Sequence, residues 1–175
     1  MAMMMHFDGQ PLWSWAGLYG LVNQIRFLRR SGAISVMITM LTPSVGSRGY
    51  EQPYRDGLVL GRVGKLPVAD RHYDGNHIVA TASRWPWIKQ INILVAYAVF
   101  YNPFSALKAL VKVDRFWKFR LSYQFLGHLG IIKSAWSASG WTRRLLTGPV
   151  ERLHDAPTPK FQLVPPPGLD AQGAH

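Results

Sequence analysis

The most constraining feature of this sequence is a strand–helix–strand pattern within its first 41 residues. Residues 3–7 and 33–41 are apolar runs, the second without any charge, as expected of strands that are covered on both faces. Between them, apolar residues recur at helical spacing and predict a helix from Ser14 to Arg30. Such a unit predicts a parallel sheet whose ligands lie at the carboxyl ends of its strands. These ends are residues 6–10 and 41–46.

The rest of the chain changes character near residue 84. Before that point, turn residues separate three short predicted elements: a helix at 50–56 and strands at 58–63 and 77–81. After it the pattern is helical, with predicted helices at 86–101, 104–113 and 114–140 and a short basic helix before Gly148. Residues 155–175 hold five of the twelve prolines, which predicts an extended or disordered tail.

Charge and composition exclude several classes of protein. The net charge is +11, and residues 84–152 alone hold 11 basic and two acidic residues, or +9; such a field attracts phosphates or an acidic partner. The absence of cysteine excludes disulfides, cysteine-ligated zinc and an iron–sulfur cluster held by this chain's own thiolates.

No apolar run reaches the about 18 residues of a membrane span. Since the N-terminus also lacks a basic n-region, we predict a cytoplasmic protein; a peripheral position at the membrane is an alternative that the basic helical segment leaves open.

An aromatic and basic run at residues 115–125 is open to three interpretations. Apolar residues occur on nearly all sides of this predicted helix, so one core face does not account for them. The run packs against the rest of the chain or a further domain, or it lies on an anionic membrane surface. The third interpretation, stacking on nucleic acid bases, lacks any recognised reading module and is the least favoured. The residues of the predicted membrane or partner surface are Arg115, Trp117, Lys118 and Arg120.

Other polar motifs favour structural roles. Asp70, His72, Asp74 and His77 are chemically suited to bind a metal ion, but Asp74-Gly75-Asn76 is a strong turn signal, so a turn at the surface is the favoured interpretation. Ser47 lacks the glycine spacing of a nucleophile elbow. The glycines between residues 57 and 64 match no phosphate-binding loop.

The order of several motifs resembles the later part of a radical SAM enzyme, in the subclass with a cobalamin-binding domain. The resemblance covers residues 3–104. The motifs that carry it are Phe7-Asp8-Gly9-Gln10, the segment from Ile38 to Glu51 with Thr42-Pro43 and Tyr50-Glu51, Asp56-Gly57-Leu58, Tyr73-Asp74-Gly75-Asn76-His77-Ile78-Val79, and Phe100-Tyr101. The chain departs from the family at Ser44 and Val45, at His6 where glycine is usual, and in lacking Cys-x-x-x-Cys-x-x-Cys.

The resemblance implies a fold and a cofactor site. The fold class is then α/β, with the C-terminal βα units of a partial (β/α) barrel over residues 1–83. A basic, aromatic-rich and mostly helical extension follows over 84–152, and a flexible proline-rich tail over 153–175. S-adenosylmethionine, a 4Fe–4S cluster and cobalamin are implied for the full-length family, and none is bound by this chain alone. The residues implied to contact S-adenosylmethionine are Met5, His6, Phe7, Met40 and Leu41.

Two hypotheses of function follow. In the first, the chain is the C-terminal part of a cobalamin-type radical SAM enzyme, helps to close the S-adenosylmethionine site, and is inactive without a partner that carries the cluster. In the second, it is a non-catalytic basic protein that binds a membrane surface or a protein partner. Neither hypothesis assigns a catalytic residue or a metal ligand to this chain.

Overall fold

The structure is a computed structural model of the chain. The residues that it describes are 2–6, 8–15, 17, 19–40, 42–45, 47, 49–111 and 115–157. They form a mixed α/β structure with two small sheets and five α-helices. Most of the predicted proline-rich tail, residues 158–175, lies outside the described residues.

The predicted strand–helix–strand unit is present. Strand β1 (Ala2–His6) pairs in parallel with β2 (Val36–Met40), and helix α1 (Leu21–Arg30) connects them. The helix begins at Leu21 and not at Ser14, because Gly20 has a φ of 102° that the helix cannot continue through. The carbonyls of Pro11 and Leu12 accept hydrogen bonds from the first two N–H groups of α1, at 3.0 and 2.9 Å.

A second, antiparallel sheet has the strand order β4-β3-β5. Its strands are β3 (Val59–Val63), β4 (Leu66–Pro67) and β5 (Val150–Leu153). The strand predicted at 77–81 is reduced to an isolated bridge between Val59 and Ala80. Strand β5 was not predicted from its sequence, and it joins the C-terminal end of the helical region to β3.

The four later helices follow the pattern of the sequence except at the C-terminal end of the last one. Helices α2 (Gln52–Arg55), α3 (Pro86–Phe100) and α4 (Pro103–Val111) lie close to their predicted positions. Helix α5 runs without a break from Trp117 to Thr147, whereas the sequence predicted an end near Gly140. Gly127 lies inside α5 at a point of close approach: a Cβ there would lie 2.2 Å from the ring of Tyr101, the residue that follows α3.

One hydrophobic core joins the parallel unit to the long helices. Val36, Ile38 and Met40 of β2 pack with α1, α3 and the C-terminal part of α5. Along β1 and β2 side chains alternate between faces, so Met3, Met5, Met37 and Thr39 lie on the face opposite this core. We call this surface the open face: Met3 is 69% exposed and Met37 is 44% exposed.

Candidate functional site

The carboxyl ends of the two parallel strands lie side by side, with His6 paired to Met40. His6 is 4% exposed, and its Nδ1 lies 3.1 Å from Gln10 Oε1. Gln10 Nε2 donates to Gln24 Oε1 at 2.9 Å, so Gln10 Oε1 is the acceptor and His6 carries its proton on Nδ1. Lys89 Nζ donates to the Gln10 carbonyl at 3.0 Å. These contacts place an ordered polar network behind the strand ends.

His6 Nε2 has no hydrogen-bond partner among the described residues, although it is buried. Burial lowers the pKa of His6 below 6.5, and the Lys89 ammonium lowers it further, against the opposing effects of Gln10 and Asp8. The neutral ring therefore presents Nε2 as an unused acceptor at neutral pH. A buried group of this kind marks a place where a donor from a ligand or a partner can be accepted.

Two charged side chains tie the neighbouring loops to these strand ends. The Asp8 carboxylate, just after β1, accepts hydrogen bonds from the Thr81 hydroxyl and from the Ala82 N–H. The Arg152 guanidinium of β5 donates to four carbonyls, those of Gly57, Leu58, Thr81 and Ser83. The end of the first sheet and the second sheet are thereby held as one unit.

The residues predicted to contact S-adenosylmethionine are divided between two faces. His6 and Met40 lie on the core side, where Met40 is 2% exposed and packs in the core. Met5 is half-buried on the open face. Phe7 and Leu41 lie outside the described residues. Sequence reasoning missed Gln24 and Lys89; no motif marks them, because both reach the strand ends only through the packing of their helices.

The two outer edges of the parallel sheet differ in whether their backbone N–H and C=O groups have partners. Along the outer edge of β2, the backbone groups of Val36, Ile38 and Met40 that point away from β1 have hydrogen-bond partners. The Tyr101 hydroxyl accepts from the Val36 N–H at 3.0 Å and donates to the Val36 carbonyl at 3.3 Å. The Tyr97 hydroxyl does the same at Ile38, at 2.9 and 3.0 Å, and the Met40 N–H donates to the Gly75 carbonyl at 2.9 Å. No described strand pairs with the outer edge of β1.

A second candidate surface covers α4 and the N-terminal two thirds of α5. Among α5 residues 117–136, Gln124 alone is buried. We call the exposed large side chains of this region the α4–α5 apolar surface. Its members are Phe104, Leu107, Leu110, Val111, Phe116, Phe119, Tyr123, Phe125, Leu126, Leu129, Ile132 and Trp136.

Basic groups border the α4–α5 apolar surface. Arg115 and Lys118 are exposed, whereas Trp117 and Arg120 are half-buried, and Lys118 Nζ lies 5.8 Å from the centre of the Trp117 ring. Beside them a cleft of about 580 Å³ is lined in part by Arg29, Arg30 and Arg120. The four residues predicted from the sequence therefore lie together at one end of α5. Arg29 and Arg30 were not predicted, because they come from the end of α1.

The turn predicted at residues 74–77 is confirmed. Asp74 Oδ1 accepts hydrogen bonds from the backbone N–H groups of Asn76 and His77, at 2.8 and 3.1 Å. His77 Nδ1 lies 3.0 Å from the same oxygen. The described residues contain no cluster of three or more histidine, aspartate or glutamate side chains that could hold a metal ion.

The buried histidines predict a loss of stability in acid. Burial lowers the pKa of both His6 and His72 below 6.5 in the folded state, so the unfolded chain binds more protons once the pH falls below that value. The free energy of unfolding should therefore be highest above about pH 6.5 and decrease as the pH falls. Urea denaturation at neutral and mildly acidic pH measures this slope, and His6→Gln should reduce it. An unchanged slope in that variant would show that His6 is protonated equally in both states.

Comparisons of this chain with protein-family models, with curated proteins and with solved structures found no match. The resemblance to the radical SAM family therefore stays a prediction. Within the described residues, no helix combines the length and the apolar character needed to cross a membrane.

Proposed function

We propose that this chain is the C-terminal part of a cobalamin-type radical SAM enzyme, inactive alone, which helps to close the S-adenosylmethionine site. The observation that supports this proposal is that the two outer edges of the parallel sheet differ in their hydrogen-bond partners. The outer edge of β2 is closed by Tyr97, Tyr101 and Gly75, whereas β1 has no described strand on its outer side. Within the part of the chain that the structure describes, the outer side of β1 is therefore the edge of this sheet to which further strands can add.

The open face supports the same proposal. Parallel strands are ordinarily covered on both faces, and a two-stranded sheet is marginal without further strands or packing. Met3 and Met37 give the open face exposed apolar area, with the half-buried Met5 beside them. Strands added beyond β1 and curved into a barrel would enclose these side chains.

In this proposal the partner holds the iron–sulfur cluster, and this chain contributes contacts to S-adenosylmethionine. The chain has no cysteine, so it does not fit an iron–sulfur cluster, and the partner must hold that group. Met5 lies at the carboxyl end of β1 on the open face, and we propose that it contacts the nucleoside of S-adenosylmethionine. This chain's share is to provide a wall of the site and to exclude water from it.

The experiment begins with the DNA that precedes the Met1 codon. We expect a neighbouring reading frame that encodes Cys-x-x-x-Cys-x-x-Cys, and we expect its product to co-purify with this chain. An unrelated neighbouring gene, or two chains that do not associate, would contradict the proposal.

A proline at position 3 tests the edge itself. Ala2 N–H donates to the Ser35 carbonyl at 2.8 Å, so in this parallel ladder the N–H of Met3 faces away from β2. Met3→Pro removes an outer donor and leaves the β1–β2 ladder intact. We expect it to weaken the complex about tenfold, and the control Met3→Thr, which keeps the N–H, to weaken it less. Equal effects of both variants would exclude strand addition at β1.

A second candidate function, binding to an anionic membrane surface, is favoured by the α4–α5 apolar surface. Large aromatic and aliphatic side chains next to Arg115 and Lys118 match the pattern of interfacial helices, whose basic groups contact lipid phosphates. The cleft that Arg29, Arg30 and Arg120 line lies against the same helices. This function is compatible with the first if the assembled enzyme acts on a lipid.

Charge reversal tests membrane binding. Each basic residue near an anionic surface contributes about 1 kcal/mol, so Arg115→Glu with Lys118→Glu should weaken binding to anionic vesicles by about 30-fold or more. The control Arg62→Glu with Lys65→Glu changes the net charge equally on the β3–β4 hairpin and should have a smaller effect. Sedimentation with anionic and neutral vesicles measures both variants. Equal binding of the wild-type chain to the two kinds of vesicle would exclude this function.

A further inference from the structure

A separate cleft lies between the loop that carries His72 and His77 and the C-terminal part of α5. Its volume is about 440 Å³. Ser137, Trp141 and Arg144 follow one another at spacings of four and three residues, so they share one face of α5. All three line the cleft, and Arg71 joins them from the short 3-10 helix at residues 70–72.

The aromatic rings give this cleft a rigid wall. The His72 ring stacks on Trp141 with centroids 4.4 Å apart, and His77 meets Trp141 edge to face at 5.9 Å. His72 Nδ1 accepts a hydrogen bond from the Ala69 N–H at 3.0 Å, so the neutral ring carries its proton on Nε2 and is a donor there. Burial lowers the pKa of His72, as do the nearby His77, Arg71 and Arg144. Its ring is therefore neutral near neutral pH.

Two N–H groups on residues that line this cleft have no acceptor among the described residues. Trp141 is 2% exposed, and neither its Nε1 nor Arg144 Nε has a hydrogen-bond partner among the described residues. Both atoms are closed off from solvent, and a buried N–H without an acceptor destabilises the fold, so a ligand oxygen that displaces the cleft wall would satisfy them. The guanidinium groups of Arg71 and Arg144 add positive charge.

The carboxylate at this cleft is already engaged. Asp74 lines the cleft, but its oxygens accept hydrogen bonds from the Asn76 and His77 backbone and face the His77 ring. Although burial raises the pKa of Asp74, the contacts with His77 and Asn76 lower it more, and the net pKa lies below the ordinary value. The cleft therefore combines unengaged donors and two arginines with a carboxylate that stays ionised and whose oxygens already accept hydrogen bonds within the turn.

We propose that this cleft binds the phosphate group of a phosphorylated ligand, through Arg71, Trp141 and Arg144. Guanidinium groups bind phosphate with paired, charge-assisted hydrogen bonds, and the indole N–H adds a fixed donor. The proposal does not depend on the assignment to the radical SAM family, because every residue in it belongs to this chain.

Calorimetric titration of the full chain with inorganic phosphate and with glycerol 3-phosphate tests the proposal. We expect saturable binding of both. Trp141→Phe removes the donor and keeps an aromatic ring against His72, and Arg144→Met removes a cation; each should weaken binding about tenfold. The neighbouring Arg143 is exposed and does not line the cleft, so Arg143→Met should bind as the wild-type chain does.

Two results would overturn the proposal: no saturable binding by the folded wild-type chain, or equal losses in Arg143→Met and Arg144→Met. If Arg144→Met does not fold, the exposed Arg71→Met takes its place with the same expected loss. Competition between inorganic phosphate and vesicles that contain phosphatidic acid identifies the source of the group. Phosphate that displaces the chain from these vesicles indicates a lipid headgroup, and glycerol 3-phosphate binding without such displacement indicates a soluble ligand.

Discussion

Arg152→Met is expected to lower the free energy of unfolding by about 2 to 3 kcal/mol, because it removes charge-assisted hydrogen bonds to several half-buried carbonyls at once. Arg152 Nη1 donates to the Gly57 carbonyl at 3.0 Å, and Nη2 donates to the Ser83 carbonyl at 3.2 Å. The Leu58 and Thr81 carbonyls share the same guanidinium. Urea denaturation of the purified chain measures the loss.

The matched control for this change is Arg62→Met on the adjacent strand β3. Arg62 is exposed and lies 3.8 Å from the Glu151 carboxylate, and an exposed pair of this kind contributes less than about 1 kcal/mol. If both variants lost the same stability, the four carbonyls would not depend on Arg152. The β5 strand would then be held mainly by its ladder with β3.

Removing the Tyr97 and Tyr101 hydroxyls is expected to have the second large effect. In Tyr97→Phe or Tyr101→Phe one backbone N–H and one carbonyl of β2 lose their partner, which should cost about 1 to 3 kcal/mol for each substitution. The double variant also exposes the outer edge of β2 to pairing with another chain. We therefore expect both a lower free energy of unfolding and increased self-association in sedimentation experiments.

Tyr123→Phe is the control for these tyrosine variants. Tyr123 lies on α5 and is 45% exposed, so the loss of its hydroxyl should change stability by less than about 0.5 kcal/mol. Wild-type stability in Tyr97→Phe would mean that water replaces the hydroxyl at the β2 edge. In that case the unequal edges of the sheet would no longer support the proposed function.

The closed β2 edge also bears on how the chain assembles. The parallel sheet is capped along β2 and has no described partner strand along β1, so further strands would add on the β1 side. The register of an added strand would be set by the alternation of buried and exposed side chains. Met3 and Met37 on the open face would become buried by that growth. The cleft proposed to bind phosphate is lined by residues 71–77 and by α5 residues 137–144, and none of these residues belongs to β1 or to the open face. Assembly and phosphate binding can therefore be measured independently.

The local sequence pattern was sufficient to predict the parallel unit, helix α3 and the turn at Asp74. The uncharged run of β2 and the helical spacing before Arg30 are each explained by neighbours in the sequence. The turn at Asp74 depends on a side chain that bonds to its own backbone two and three residues later. The cluster of basic residues at 115–120 also remains together because it spans less than two helical turns.

Tertiary structure decided the features that join distant segments. Gly20 ends the loop before α1 at a positive φ, and Gly127 in α5 contacts the Tyr101 ring; the same residue type breaks one helix and permits another, depending on what lies against it. Strand β5 forms because its partner β3 is available about 90 residues earlier in the chain, a pairing for which four residues of sequence hold no local signal. The polar network at His6 and the donors at Trp141 arise in the same way, because hydrogen bonds between helices, loops and strands depend on packing that no local pattern encodes.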